Sequence, residues 1–335
     1  METHSAPVQT TILRTAAGSP PSVSQFRRFQ CAGARIVAAD SDPLSVGFFA
    51  ADAAYTVPRA SDPGYVDALL EVCRRGRVTA FMPALDEELV LISENRSRFE
   101  EAGTQVVLSG TDALRICTDK LAMARFFEDN CIPTVETTAA EDVRFDEPQP
   151  FPLIVKPRNG RGSAGVFVAR DRDELAFFAG RYVADAVVQP KLAGLEYTID
   201  VLADRSSEPL LVSPRKRLAT DSGISSKGAT AWHDEMVRWT EVIVRRLKIV
   251  GPANIQCFLS PNGEVTFTEV NARLAGTAVL TMAAGIPYAE AIIAFIAGAP
   301  IRRHVEPVAE RVMLRYWEEM VLSPEDAERF GWREA

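Results

Sequence analysis

Residues 254–273 read Asn254-Ile255-Gln256-Cys257-Phe258-Leu259-Ser260-Pro261-Asn262-Gly263-Glu264-Val265-Thr266-Phe267-Thr268-Glu269-Val270-Asn271-Ala272-Arg273. Two strand-like runs flank Asn262-Gly263, the strongest short-range hairpin signal, because a tight two-residue turn needs positive φ angles that Asn and Gly tolerate. A two-residue loop there pairs residues whose numbers sum to 525. Phe258 then faces Phe267, and Gln256 lies opposite Glu269. Side chains alternate between the faces of a strand, so Asn271 shares the face of Glu269. Three oxygen-bearing side chains converge beyond a Phe pair, a hard-ligand set suited to Mg²⁺ bridging nucleotide phosphates. A three-residue loop would put Gln256 on the other face, so register decides whether the metal site exists. A solvated polar edge is the competing reading.

Upstream, Pro152-Leu153-Ile154-Val155-Lys156-Pro157 carries a lysine at the end of an apolar run. Arg158-Asn159-Gly160-Arg161-Gly162-Ser163-Ala164-Gly165 follows, and a second strand resumes over 166–169. Glycines let backbone N–H groups approach phosphate oxygens, and a lysine adds a point charge to the same anion. The segment is not a GxxxxGK[ST] loop, and by itself it reads equally as a loose hairpin with an exposed lysine. Between the two stretches, Val187-Val188-Gln189-Pro190-Lys191-Leu192-Ala193-Gly194-Leu195-Glu196 enters a linker from one strand and leaves as another. Such a linker would offer backbone groups to an adenine and Glu196 to a ribose; a plain surface connection is the simpler alternative.

The first third alternates strand and helix patterns: strands over 11–14, 34–39, 79–83 and 104–108, and helices over 22–31, 65–75 and 86–102. This is the grammar of a parallel sheet flanked by helices. Two short helices, 111–117 and 120–130, end at Ile132-Pro133 as a proline stop should. From Phe151 onward strands come in adjacent pairs with turn signals at 159–165, 262–263 and the polar stretch 217–230, an antiparallel α+β pattern. Residues 278–300 read as a buried helix, and the closing segment 301–335 as packed at Arg315-Tyr316-Trp317-Glu318.

A chain of 335 residues has room for about two domains. Its hydrophobic fraction of 47% and charged fraction of 24% are ordinary for a globular protein. A net charge of −8 argues against nucleic acid, which is held by counterion release. Five cysteines without a CxxC pair point to reduced thiols, hence a cytoplasmic location. Three scattered histidines exclude a His cluster for metal and leave little room for hydrolysis by a His base. Residues 1–10 lack the pattern of a signal peptide, and the apolar stretch 278–300 is broken by Gly285, Pro287 and Glu290, which excludes a membrane span.

In their order these pieces resemble the ATP-grasp superfamily, in particular the branch around the carbamoyl phosphate synthase large subunit and the single-module ligase of the pyrrolysine pathway. The likeness extends to Asp42-Pro43, Ala51-Asp52, Tyr65-Val66, 83–89 and Thr118-Asp119-Lys120 ahead of Ile132-Pro133-Thr134. It implies an α/β and α+β architecture: a Rossmann-like domain over 1–110, an ATP-grasp small subdomain with a glycine-rich lid over 111–188, a metal and phosphate subdomain over 189–300, and a closing segment over 301–335. It also implies that Lys120 and Lys156 hold ATP phosphates under the loop of Gly160, Gly162, Ser163 and Gly165. Gln189 and Leu192 fall at the adenine-facing hinge and Glu196 at the ribose. Gln256, Glu269 and Asn271 match Mg²⁺ ligands, with Glu269 bridging two ions for which Mn²⁺ can substitute. Arg273 matches the arginine on the acyl-phosphate oxygens. The hinge often carries an acid where this chain has Gln189-Pro190.

The reaction so implied joins a carboxylate to an amine through an acyl phosphate, releasing ADP and phosphate, with small-molecule partners and a homodimer as an open assembly. Arg215, Lys216, Arg217 and Lys227 are candidate substrate selectors, and read equally as solvated charges. A kinase of carbamate or another small oxyacid would use the same residues and stop before the amide. A regulatory module would keep Lys156 and lose metal ligands, and all three are present. A dinucleotide oxidoreductase is disfavoured because Ala17-Gly18-Ser19-Pro20-Pro21 is not GxGxxG.

Overall fold

The computed structural model describes residues 9–144, 147–160, 162, 164–181, 185–221 and 223–329. The first third alternates β1 (Thr11–Arg14), α1 (Ser22–Cys31), β2 (Arg35–Asp40), β3 (Ala53–Thr56), α2 (Tyr65–Gly76), β4 (Ala80–Met82), α3 (Asp86–Glu94), α4 (Arg96–Glu101) and β5 (Gln105–Val106). The strands form a parallel sheet in the order β3-β2-β1-β4-β5. Consecutive residues such as Ile12, Leu13, Ile36 and Val37 are all fully buried, because helices cover both faces. The helix expected over 86–102 is two helices. Asn95 donates Nδ2 to Leu91 O at 2.9 Å and ends α3 there, a side-chain bond that competes with helix continuation.

Helices α5 (Thr111–Thr118) and α6 (Lys120–Asp129) lead to a four-stranded antiparallel sheet of β6 (Thr138–Ala139), β7 (Leu153–Pro157), β8 (Phe167–Ala169) and β9 (Ala186–Pro190), ordered β6-β9-β7-β8 and backed by α7 (Arg172–Arg181). Leu153, Val155, Ala169, Leu175 and Val188 give this sheet a core of its own. Phe127 of α6 lies 6.4 Å from Phe267, outside the small sheet, and β9 runs to Pro190.

The remainder is β10 (Leu195–Ala203), β11 (Pro209–Asp221), β12 (Ile224–Thr230), α8 (Asp234–Leu247), β13 (Gly251–Leu259), β14 (Val265–Asn271), α9 (Ala278–Ala283), α10 (Tyr288–Ala297), β15 (Val312–Leu314) and α11 (Pro324–Glu328). Six of its strands form an antiparallel sheet, β14-β13-β10-β11-β12-β15. Ile199, Val201, Ile255 and Val270 share a core with Met236, Ile243 and Val244 of α8. The polar stretch 217–230 is strand rather than loop: β11 and β12 continue through it and turn beside Gly223, at φ 75°. The stretch 278–300 is two helices, because Gly285 (φ 99°) and Pro287 interrupt it. The segment 315–318 is packed only at Arg315, whose Nη2 donates to Gly276 O; Tyr316 and Trp317 are 81% and 82% exposed.

The parallel domain and the six-stranded sheet are fused. Val107, Leu202, Leu211 and Tyr288 belong to one buried cluster, and Gln25 Nε2 donates to Ala275 O at 2.8 Å. Among the described residues no helix is long and apolar enough to cross a membrane.

Candidate active site

The register of β13 and β14 comes from two compensating irregularities. Near the turn the pairs are Leu259 with Val265, Phe258 with Thr266 and Cys257 with Phe267, so Phe258 does not face Phe267 as a two-residue loop requires. Ser260 N donates to Glu264 O at 2.9 Å and Gly263 N to Ser260 O at 3.0 Å, with Gly263 at φ 87°. This is a three-residue loop, and Pro261 and Gly263 stand where a type I turn prefers them. Thr268 is then an extra residue on β14, its Oγ1 donating to Gln256 O at 3.3 Å, and this bulge moves the ladder back by one. Beyond it Gln256 is opposite Glu269 and Asn254 opposite Asn271, so all four share one face.

Cations from three elements and from the chain leaving β14 lie around Glu269. Lys120 opens α6 behind Asp119, whose Oδ1 accepts from Leu121 N (3.0 Å) and Ala122 N (3.1 Å) as an N-cap. The Lys120 ammonium donates to Gly160 O at 3.0 Å, where the glycine loop starts at φ 115°. Asp119 also binds Arg158 Nε at 2.8 Å, anchoring the base of that loop. Lys156 ends β7 on the same face as Ile154, which is paired with Gln189. Burial lowers the Lys156 ammonium to about 8, against the attraction of Glu269 and with repulsion from Lys120. Burial lowers Lys120 as well, with Glu269 and Asp86 opposing.

Arg217 and Arg273 complete the ring. Arg217 Nε lies 3.0 Å from Glu196 Oε2, an ion pair whose N–H is out of line for a hydrogen bond. With the Gln256 amide turned to satisfy its neighbours, its nitrogen donates to Glu269 Oε2 (3.2 Å) and its oxygen accepts from Arg217 Nη1 (3.1 Å). Burial raises the Glu196 carboxyl, and Arg217 works against that shift. Arg273 is held by both oxygens of Asp86, and burial of its guanidinium is outweighed by that carboxylate, so its proton is bound above the usual arginine range.

Other sequence candidates lie differently. Arg215 is not a substrate selector on the surface: it is 1% exposed, with Nε and Nη2 each 2.8 Å from the Asp200 carboxylate, which Thr281 also contacts. A guanidinium buried in a bidentate pair is a structural group. Lys216 falls on the opposite face of β11 from its neighbours, and Lys227 is exposed on β12 opposite Leu314. Gln189 is buried and donates to Thr137 Oγ1 at 2.7 Å, and Leu192 is half-buried in the linker. Gly194 there can only be glycine, since a Cβ would meet Leu259 O at 2.1 Å. Gly162 (φ 65°) and Gly165 (φ 72°) are in the left-handed region, and Ser163 lies outside the described residues. Sequence reading missed Asp86 and Asn254. Asp119 had a signal, an Asp immediately before a helix start.

A parallel-sheet domain joined to two antiparallel sheets, with Lys156 on the smaller one, Lys120 at the start of α6 and a Gln/Glu/Asn row on the larger, has the architecture of the ATP-grasp fold. Residues 12–107 match the model of the PylC-like N-terminal domain, and residues 183–320 match that of ATP-grasp in the biosynthetic pathway with Ter operon. The first match falls on the parallel-sheet domain and the second runs from the end of the small sheet through the larger one. It is 24% identical over 311 residues to the carbamoyl phosphate synthase large chain of Thermomicrobium roseum, covering 85% of this chain and 28% of that one. The chain spans 18–28% of the length of four carbamoyl phosphate synthase large chains it matches. In fold it resembles N5-carboxyaminoimidazole synthetase from Staphylococcus aureus complexed with ADP (TM-score 0.73, 15% identity, 92% of this chain and 82% of that one). It also resembles an L-amino acid ligase from Bacillus licheniformis (TM-score 0.64, 18% identity, 86% and 74%).

Proposed function

We propose that the protein is a cytoplasmic, ATP-dependent carboxylate–amine ligase. ATP phosphorylates a carboxylate to an acyl phosphate, an amine displaces the phosphate, and an amide, ADP and phosphate result. The observation that carries this reading is the grouping of Lys120, Lys156, Arg217 and Arg273 around Glu269, with Arg217 also paired to Glu196 and Arg273 to Asp86. Four cations stand against three carboxylates, and a polyphosphate would bring the negative charge the group still lacks.

The donor set fits Mg²⁺. Glu269 provides one carboxylate, and Asn271 uses its Nδ2 on Asn254 Oδ1 (3.3 Å), which leaves its own oxygen for a cation. Gln256 joins them when its amide turns its oxygen from Arg217 to the metal. One or two carboxylates supplemented by phosphate oxygens and water are the usual Mg²⁺ environment. Glu269 would serve two such ions, and Mn²⁺ would serve in their place. When bound, the metal supplies charge neutralisation between phosphate oxygens.

The protein's own groups do the rest. Lys120 and Lys156 neutralise the phosphates, and the glycine loop places backbone N–H groups beside them. Glu196, steadied by Arg217, accepts from ribose hydroxyls, and the linker around Leu192 meets the adenine. Arg273, aimed by Asp86, stabilises the oxygens of the acyl phosphate as charge shifts onto them. Alignment and fixed charge carry such a reaction without a nucleophilic side chain.

An ADP-release assay over a panel of amino acids and dipeptides tests this. ADP should form only with Mg²⁺ and with carboxylate and amine both present. ADP formed without an amine, together with a stable phosphorylated acid, would make the protein a kinase instead; nucleotide turnover independent of any pair would overturn both.

A further inference from the structure

The six-stranded sheet ends on a strand with an open side. β15 pairs with β12 alone, Lys227 lying opposite Leu314, Gly228 opposite Met313 and Ala229 opposite Val312. Thr230 N donates to Arg311 O at 3.0 Å and Arg315 N to Ser226 O at 2.9 Å, so the main chain of Arg311, Met313 and Arg315 is turned toward β12. Antiparallel ladders alternate, and the N–H and C=O groups of Val312 and Leu314 therefore point away from the sheet, without partners among the described residues.

Such edges are normally blunted by charged residues or proline on the strand, or by a covering segment. Val312-Met313-Leu314 has neither charge nor proline, and its side chains make the edge more adhesive. Of the eleven large apolar side chains exposed among the described residues, six fall within 312–321: Val312 (63%), Leu314 (68%), Tyr316, Trp317, Met320 and Val321. Together they leave roughly 800 Å² open to water, more than the largest apolar patch of an ordinary monomer and about what each partner of a stable complex buries.

The pattern fits a second copy of the same strand. Turned about a two-fold axis through Met313, β15 sets Val312 opposite Leu314 of the second copy and Leu314 opposite the second copy's Val312. These are the two residues whose main-chain groups are open, so each pair exchanges two hydrogen bonds and apolar side chains meet across the junction. Arg311 comes opposite Arg315 of the second copy, and Arg315 is drawn aside by the bond from its Nη2 to Gly276 O. A partner of another sequence would have to supply both the open strand and the matched apolar pair; a second copy has both by symmetry.

We propose that the protein forms a homodimer joined β15 to β15, in which two six-stranded sheets run on as one. β14 is at the opposite end of the sheet from β15, so the pairing leaves Glu269 and its cations open to ligands.

Analytical ultracentrifugation of the full chain tests this, with a dimer expected at micromolar concentration. Leu314→Pro removes an N–H that makes no bond within the sheet, and Leu314→Lys puts a charge on the edge; each should weaken the dimer at least tenfold, with circular dichroism showing both variants folded. Met313 lies on the axis, within disulfide distance of its own mate, so Met313→Cys should cross-link two copies on mild oxidation. Leu314→Cys, whose mate is displaced along the strand, should cross-link no more than the unaltered chain with its exposed Cys31 and Cys131. A chain that stays monomeric, which would leave the edge to a different protein, or a dimer that both Leu314 variants leave intact, would overturn the proposal. Cross-linking through Leu314→Cys and not through Met313→Cys would overturn it as well.

Discussion

Asp86 and Arg273 lie 187 residues apart in the chain and meet through two parallel hydrogen bonds, Nε to Oδ1 and Nη2 to Oδ2, each 2.7 Å. One end belongs to the first turn of α3 in the parallel domain, the other to the chain leaving β14. A bidentate carboxylate fixes both the position and the plane of a guanidinium. Asp86→Asn, which loses the charge and one acceptor, should lower kcat by about 10- to 100-fold, the usual effect of removing a partner that orients a reacting group. The KM for ATP should move little. Steady-state kinetics with ATP varied checks this, and an equal rise in KM would mean that Asp86 serves nucleotide binding instead.

Lys156 gives the site a pH signature. Its ammonium titrates at about 8 in the free protein, and bound phosphates would raise that value. ATP binding should therefore take up a proton above pH 8, and affinity should fall as pH rises through that value. The folded value lies below the unfolded one of 10.5, so Lys156 destabilises the fold at low pH, and that penalty fades as pH rises from 8 to 10.5. Calorimetry in buffers of different ionisation enthalpy measures the uptake.

Lys156→Ala should abolish that uptake and weaken ATP binding by about 10- to 100-fold, the worth of a charged hydrogen bond. The circular dichroism spectrum should be unchanged, because the ammonium ends a strand and is not part of the small sheet's core. Unaltered ATP binding would mean that the Lys156 ammonium does not touch the nucleotide.

Glu269 and Gln256 face each other across β13 and β14 and should fail differently. Glu269→Gln removes the only formal negative charge of the ligand row and should abolish Mg²⁺-dependent turnover. Gln256→Ala removes a neutral ligand that water can replace, and should chiefly raise the Mg²⁺ concentration required. Titrating activity against Mg²⁺ separates the two.

The Asp200–Arg215 pair is a matter of stability. Asp200→Asn leaves a guanidinium unpaired under the sheet and should cost about 3–5 kcal/mol, whereas replacing both residues with apolar side chains should cost much less. Denaturant unfolding of the single and double variants would show it.

The parallel domain was legible because α1 begins at Ser22 and ends at Cys31 just where its apolar spacing does, and because buried strands such as β2 read as unbroken apolar runs. The helix break at Asn95 was less legible, since an amphipathic stripe continues across it. At the hairpin Gln256, Glu269 and Asn271 share one face as expected, but through a turn of a different length, because the bulge at Thr268 has no strong residue signature. Pro261 ahead of Asn262-Gly263 was the available clue to the longer loop. Arg215 was misread because charge alone does not tell a surface group from a buried pair, and its partner Asp200 lies on another strand. Asp86 was out of reach for the same reason: its role depends on a contact between domains.

The most direct test of an acyl phosphate follows the carboxylate oxygens. The carboxylate that supports ADP release, labelled with ¹⁸O at both oxygens, is incubated with ATP, Mg²⁺ and the amine, and the inorganic phosphate is read by ³¹P NMR for its isotope shift. One ¹⁸O should appear in each phosphate, the oxygen that bridged the acyl group and the phosphorus. Unlabelled phosphate, or label recovered in AMP, would contradict phosphorylation of the carboxylate as the step these residues perform.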